Sequence, residues 1–206
     1  MQLPFISVIL PVRNEEKYIT ACVASIFSQD YPADLMEVIF VDGRSEDRTV
    51  AMLHEMQKEH PQIVVLDNPN RTVPYAMNIG IRACKADVIV RLDAHAEYPE
   101  DYIRLSVETL LTQDCDNAGG VFETRGRGFM GEAIAEMLKT PLGVGNATYR
   151  LTQEDGYVDT VPFGCWRKEL FDRIGGFDER MTRNQDNELN HRIRKNGGKV
   201  YLNHKI

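Results

Sequence analysis

The chain has no CxxC clamp: its four cysteines, at 22, 84, 115 and 165, lie far apart. That spacing excludes a zinc knuckle and a redox dithiol, and Cys22 and Cys84, set among apolar neighbours, read as small core residues. No stretch approaches the roughly 18 consecutive apolar residues that a membrane-crossing helix needs. The opening Met1-Gln2-Leu3-Pro4-Phe5 lacks the charged segment and long apolar run of a secretory leader, so a cytoplasmic chain is the expectation. Positive charge is scarce as well, with 24 basic residues against 31 acidic ones and a net charge of −7. An extended nucleic-acid footprint needs a basic face, so no nucleic-acid partner is expected. A small anionic substrate is still compatible, because a metal ion or a few placed basic groups can offset the local field.

What is present is a rhythm. Phe5–Leu10, Met36–Val41, Ile63–Leu66 and Val88–Leu92 are short apolar runs, and Pro11 stops the first. Within Glu15–Gln29 the residues Ile19, Cys22, Val23, Ile26 and Phe27 recur at helical spacing. Ser45 is placed to cap a helix with Glu46 and Asp47 in its first turn, Pro74–Lys85 reads as a third helix, and Pro99 opens a fourth. Apolar strands alternating with amphipathic helices predict an α/β fold, with a mostly parallel central sheet covered by helices on both faces. At 206 residues the chain has the length of a single domain. Past residue 115 the pattern loosens. There Ala118–Phe122 and Lys199–Leu202 read as strands, and Gly131–Lys139, Glu169–Ile174 and Gln185–Asn196 as helices. Pro141–Tyr149 reads as a loop.

In such sheets the ligand site lies beyond the carboxyl ends of the strands. Those ends carry Pro11–Asn14, Asp42-Gly43-Arg44-Ser45 and Asp93-Ala94-His95, so two acids and a histidine converge on one rim. A carboxylate and an imidazole two residues apart on a turn can face one divalent cation, Mn²⁺ or Mg²⁺. Asp42 fits either a nucleotide-binding acid at a strand end or a simple Asx turn with Gly43. Asp186 and Glu188 open a helix and diverge at a spacing of two. Glu188 is placed to pair with Arg192 four residues on, while Asp186 reads either as a site residue or as a first-turn acid. Gly126-Arg127-Gly128-Phe129-Met130-Gly131 is a literal GxGxxG, but it follows a complete set of strand–helix units and reads as a flexible loop. Trp166 reads as core. His204 is open between a third metal ligand and a frayed tail.

Taken together, these segments resemble family 2 glycosyltransferases with the GT-A (Rossmann-like) fold. Ser7-Val8-Ile9-Leu10-Pro11-Val12-Arg13-Asn14-Glu15-Glu16 is similar to the family's opening strand and turn. Val41-Asp42-Gly43-Arg44-Ser45-Glu46-Asp47-Arg48-Thr49 resembles its VDDGSxDxT segment, and Ala76-Met77-Asn78 its AxN element. Asp93-Ala94-His95 occupies the DxD position, Gly175-Gly176-Phe177-Asp178-Glu179 the GGFDE turn, and Asp186 the place of the aspartate in the ED motif. Asp93-Ala94-His95-Ala96, Val158–Gly164 and Asn184-Gln185-Asp186 look like the exopolysaccharide subgroup typified by succinoglycan glycosyltransferases. Three positions depart from the family pattern: Gly43 replaces an Asp, His95 replaces the last Asp of DxD, and Gln185 replaces the ED glutamate.

The resemblance implies a metal-dependent, inverting transfer of a sugar from a nucleotide-diphosphate sugar, expected to be a UDP-sugar, to the hydroxyl of a saccharide or lipid-linked saccharide. Residues 1–115 would form the nucleotide-sugar half and 116–206 the acceptor half of one domain, 1–206. Pro11, Arg13, Asn14, Glu15, Asp42, Asn78 and Asp93 would line the nucleotide. Asp93, His95 and His204 would hold Mg²⁺ or Mn²⁺, and Asp186 would be the catalytic base. With Gln185 beside it, Asp186 is expected to have a smaller upward pKa shift than a flanking carboxylate would cause. Membrane-surface association, at the inner face of the plasma membrane, is expected of a C-terminal continuation. Two alternatives stand beside this reading: a nucleotide-sugar-binding module without turnover, and a sugar nucleotidyltransferase. Against the latter, Val12-Arg13-Asn14-Glu15-Glu16 carries one Arg and two acids where a Gly- and basic-rich loop is needed.

Overall fold

The computed structural model describes residues 2–122, 124, 126, 128–138, 140, 143, 149 and 154–206. Among them, eight strands form one sheet: β1 (Ile6–Val12), β2 (Met36–Asp42), β3 (Ile63–Asp67), β4 (Val88–Arg91), β5 (Asn117–Gly119), β6 (Gly156–Tyr157), β7 (Gly164–Arg167) and β8 (Val200–Leu202). Their spatial order is β3-β2-β1-β4-β7-β5-β8-β6. Strands β1 to β4 are mutually parallel, β7 runs antiparallel between β4 and β5, and β8 runs parallel to β5. The seven described helices are α1 (Ile19–Phe27), α2 (Thr49–Met56), α3 (Val73–Ala83), α4 (Tyr102–Thr112), α5 (Gly128–Met137), α6 (Glu169–Ile174) and α7 (Gln185–Lys195).

The period-two geometry of a strand sends alternate side chains to opposite faces. In β1, Ile6, Val8, Leu10 and Val12 join Ile19, Cys22, Val23 and Ile26 of α1, Leu53 of α2, and Ile103, Val107 and Leu110 of α4. Ile9 points the other way, to Ala76, Met77 and Ile81 of α3, Leu170 and Phe171 of α6, and Leu189 and Ile193 of α7. Helices therefore cover both faces, as the continuous apolar strands require. Trp166 is fully buried in this second cluster, and all four cysteines are buried thiols.

Three local expectations are corrected. Pro11 does not end β1, which runs on to Val12 with Pro11 opposite Val41 of β2. The Ile9 carbonyl accepts from Leu92 on the β4 side and the Val12 carbonyl accepts from Gly43 on the β2 side. Odd residues of β1 thus face β4, which ends at Arg91 opposite Ile9; the missing N–H of Pro11 falls beyond that paired stretch, at a ladder end where proline is tolerated. Ser45 does not cap a helix, because α2 starts only at Thr49 and Ser45 is bound to Asp42 instead. The glycine motif is not a loop throughout, since Gly128–Gly131 open α5; Arg127 lies outside the described residues. The expected loop Pro141–Tyr149 also lies outside them, apart from Gly143 and Tyr149.

Candidate active site

The carboxyl ends of β1 and β2 are sewn together by side chains. Asp42, the last residue of β2, accepts from Ser45 twice, Oγ to Oδ1 at 2.5 Å and backbone N–H to Oδ2 at 3.0 Å. Ser45 Oγ accepts in turn from the Asn14 N–H at 2.8 Å, and Asn14 Oδ1 accepts from the Glu46 N–H at 2.8 Å. The Glu15 N–H is held by Thr49 Oγ1 at 2.8 Å. Asn14 and Arg44 both sit at positive φ, 57° and 58°. Gly43 lies in a close approach: a Cβ there would stand 3.1 Å from the Arg71 carbonyl oxygen and 3.4 Å from Arg13 Cβ. A glycine fits this close approach without any shift of its neighbours. Pro11, Arg13, Asn14, Glu15 and Asp42 therefore converge, with Arg13 exposed.

The next link is His95. Its ring is 61% exposed and its Nδ1 lies 3.1 Å from Glu15 Oε1, which joins the β4 end of the rim to the β1 end. Two residues earlier, Asp93 is fixed through its N–H, which donates to the Tyr98 hydroxyl at 2.7 Å. Its Oδ1 receives Arg91 Nη2 at 3.2 Å.

Arg91 is the centre of the arrangement. It is the last residue of β4 and its side chain is only 3% exposed. One guanidinium nitrogen goes to Asp93 and the other to Asp186 in the first turn of α7. The Phe163 ring lies over the guanidinium at 5.5 Å, a cation–π contact. The Phe163 backbone favours the ionised form of Asp186. Burial works against the Arg91 charge, but Asp93 and Asp186 outweigh it and raise the pKa of the guanidinium. For Asp186 the balance goes the other way. Burial pushes its carboxyl above the usual range, Arg91 opposes that push, and Asp93 adds to it. Asp93 supplies the neighbouring negative charge that Gln185 does not.

The loop carrying Phe163 is fastened to α7 by a polar ladder. Asn117 Nδ2 donates to Asn190 Oδ1 at 2.7 Å, Asn190 Nδ2 donates to Thr160 Oγ1 at 2.8 Å and to the Val161 carbonyl at 2.9 Å, and Thr160 Oγ1 donates to Asn187 Oδ1 at 2.8 Å. Glu188 pairs with Arg192 through two contacts of 2.7 and 2.8 Å, as the spacing of four predicts.

Two expected site residues have side-chain partners outside the Asp42, Asp93 and His95 group. The Asn78 amide grips the turn before α7: Oδ1 accepts from the Phe177 N–H, and Nδ2 donates to the Phe177 carbonyl and to Glu179 Oε1. His204 follows β8, three strands away from β4, and its Nδ1 lies 2.5 Å from Asp155 Oδ1. Among the described residues no three His, Cys, Asp or Glu side chains form a cation site, so His204 does not join Asp93 and His95 in one. Arg91 belongs to no motif in the sequence. The signal is there: a charged residue in an otherwise apolar central strand is buried only if paired.

A family model described as Glycosyl transferase family 2 matches residues 7–175. The chain belongs to glycosyl transferase family 2. Among curated members, it is 31% identical over 98% of its length to the "Dolichyl N-acetyl-alpha-D-glucosaminyl phosphate 3-beta-D-2,3-diacetamido-2,3-dideoxy-beta-D-glucuronosyltransferase" of Methanococcus voltae. It is 29% identical over 96% of its length to the succinoglycan biosynthesis protein ExoA of Rhizobium meliloti (strain 1021). The chain spans 65% of the length of the first and 60% of the second. Among solved structures, S. aureus TarS 1-349 in complex with UDP superposes with a TM-score of 0.73 at 18% identity, over 98% of this chain and 58% of that one. The mannosyltransferase PcManGT of Pyrobaculum calidifontis, in complex with GDP-Man and Mn²⁺, gives 0.69 at 24%, over 98% and 57%. These structural likenesses establish the GT-A fold. No described helix is long and apolar enough to cross a membrane.

Proposed function

We infer that this chain transfers a sugar from a nucleotide-diphosphate sugar, a UDP-sugar first among them, to the hydroxyl of a saccharide or lipid-linked saccharide during exopolysaccharide or cell-surface glycan synthesis. The observation that carries the reading is the placement of Asp186. Its carboxylate, raised in pKa, stands one guanidinium away from Asp93 on the rim where family 2 enzymes take their donors.

The donor's nucleoside lies against Asp42, whose carboxylate is aimed by Ser45, with Arg13, Asn14 and Glu15 beside it. The turn after β4 offers one hard carboxylate oxygen and one borderline imidazole nitrogen, with Glu15 against the imidazole; this pair suits Mn²⁺, and Mg²⁺ where water takes the place of the imidazole. Mg²⁺ is commonly held by one or two carboxylates, with substrate phosphates and water completing the shell. Asp93 and His95 would hold Mg²⁺ or Mn²⁺, which supplies charge neutralisation for the departing diphosphate. Asp186 accepts the proton of the acceptor hydroxyl as its oxygen bonds to the anomeric carbon and the bond to the diphosphate oxygen breaks. The nucleoside diphosphate leaves, and configuration at the anomeric carbon inverts. Burial helps here, since a carboxyl with a raised pKa is a stronger base near neutral pH than one at about 3.9.

The test is calorimetric titration of UDP with and without Mn²⁺, followed by a panel of nucleotide-diphosphate sugars with saccharide and lipid-linked acceptors. Metal-dependent binding and a new glycosidic product are expected. Binding with no product from any pair would favour a module without turnover, and release of pyrophosphate from a sugar phosphate and a nucleoside triphosphate would favour a nucleotidyltransferase.

A further inference from the structure

Arg91 does more than neutralise its surroundings. An arginine inside an apolar sheet carries a desolvation penalty, and one well-placed carboxylate would be enough to offset its charge. Here the fork is divided: Nη1 goes to Asp186, ninety-five residues further along the chain, and Nη2 to Asp93 on its own strand end. Nε is buried with no partner, so the side chain is not optimised for its own hydrogen bonding. The guanidinium is also fixed in direction. Its central carbon lies over the Phe163 ring, Tyr98 packs edge-on to Phe163 at 6.2 Å and to Tyr102 at 4.7 Å, and the Tyr98 hydroxyl holds the Asp93 backbone. The Phe163 backbone also favours the charged form of Asp186. The carboxylate of Asp186 is thus held from β4 by Arg91, and the loop that carries Phe163 is bound to α7 by the Asn117–Asn190–Thr160 ladder.

We propose that Arg91 is a positioning residue for the transfer step, acting through Asp186. It holds the base at a fixed angle to the donor rim and, by sharing one guanidinium with Asp93, makes the donor side and the base one rigid unit. A planar fork can serve two carboxylates in fixed directions; a lysine ammonium on a flexible stem cannot. The proposal rests on the reading of Asp186 as base. It extends that reading by naming the residue that sets the base's geometry, and it predicts that charge alone does not replace Arg91.

The experiment compares the full chain with Arg91→Lys, Asp186→Asn and the double variant. Circular dichroism and thermal unfolding check the fold, calorimetry with UDP and Mn²⁺ reads donor-side binding, and transfer gives kcat and donor KM. Small misplacements of a reacting group cost up to about a hundredfold. Arg91→Lys is therefore expected to lower kcat about tenfold to a hundredfold while UDP affinity and donor KM change less than about threefold. In the Asp186→Asn background the same change is expected to lower the residual rate less than about twofold, because the carboxylate through which Arg91 acts on the transfer step is gone. A kcat for Arg91→Lys within about twofold of wild type, or losses that multiply in the double variant, would overturn the proposal. Should Arg91→Lys not fold, Phe163→Leu carries the test. It removes the ring over the guanidinium and keeps the backbone N–H; a severalfold loss of kcat at constant UDP affinity supports the proposal, and an unchanged kcat overturns it. Wild type and Asp186→Asn separate the two ideas. A wild type that transfers no sugar, or an Asp186→Asn variant as fast as wild type, removes the underlying reading and the proposal with it. A wild type that loses transfer with Asp186→Asn leaves that reading standing whatever Arg91→Lys does.

Discussion

Asn78 holds both polar groups of the Phe177 backbone: its Oδ1 accepts from the Phe177 N–H at 2.8 Å and its Nδ2 donates to the Phe177 carbonyl at 2.9 Å. The two residues are 99 positions apart, and the side-chain amide does for this turn what a neighbouring strand does for an edge. A Cβ on Gly176 would collide with Asn78 Oδ1, so the turn and the amide are fitted to each other. The turn leads into α7 and hence to Asp186.

From this follows the behaviour of Asn78→Ala. It would leave a buried N–H and a buried carbonyl without partners, each costing about 1–3 kcal/mol. The expected loss of stability is about 2–6 kcal/mol by urea unfolding, with metal-dependent UDP affinity retained in the fraction that folds. A stable variant with weakened UDP binding would instead return Asn78 to the nucleotide site.

The pH dependence has a definite sign. Asp186 must be unprotonated to take the acceptor proton, and its pKa is raised by burial, against Arg91 and with Asp93. Transfer is therefore expected to be lost, as pH falls, at a higher pH than an ordinary aspartate near about 3.9 would give. Stability moves oppositely. The folded carboxyl holds its proton where the unfolded chain has already released it, so its contribution is complete below the unfolded pKa and is lost as pH rises through the folded one. Asp186→Asn should accordingly gain stability relative to wild type across that window, read as the difference in melting temperature at a series of pH values.

The two histidines should behave differently. His95 stands on the rim beside Asp93, whereas His204 is occupied by Asp155 three strands away. His95→Ala is expected to weaken Mn²⁺-dependent UDP binding about tenfold or more, since loss of outer-shell partners alone costs about 10–100-fold in metal affinity. His204→Ala should leave that binding unchanged. Equal losses in both would mean that His204 reaches the donor site after all.

Gly43 offers a check on the crowding at the β2 end. A methyl group there meets the Arg71 carbonyl oxygen at 3.1 Å, and overpacking of this kind costs about 1–3 kcal/mol. Gly43→Ala is expected to lower the urea midpoint with an unchanged slope, the signature of lost stability without a change in the denatured state.

Much of the parallel half of the fold is legible in the sequence, because both faces of β1, β2 and β4 are buried and their apolar runs are continuous. The antiparallel strand β7 is not. Gly164-Cys165-Trp166-Arg167 is four residues with no alternation, and it is a strand because β4 and β5 flank it. Helix α5 misleads in another way: it buries Ala135 and turns Phe129, Met130, Ile134 and Met137 outward, so its apolar pattern does not mark a core-facing side. Within the candidate site, strand ends place Asp42, Asp93 and His95 on one rim without coordinates. The link from Asp93 through Arg91 to Asp186 spans ninety-five residues and a strand inserted out of chain order, and no local pattern encodes it. Asn78 illustrates a different limit, since nothing local in its motif shows that its amide grips the backbone of Phe177, ninety-nine residues on.

The most direct test of the account is the transfer rate of Asp186→Asn at saturating donor, beside its Mn²⁺-dependent affinity for UDP. General-base catalysis contributes about 10²–10⁴-fold, so the account predicts a loss of that size with UDP binding kept. A variant that binds UDP and transfers sugar at the wild-type rate would contradict it.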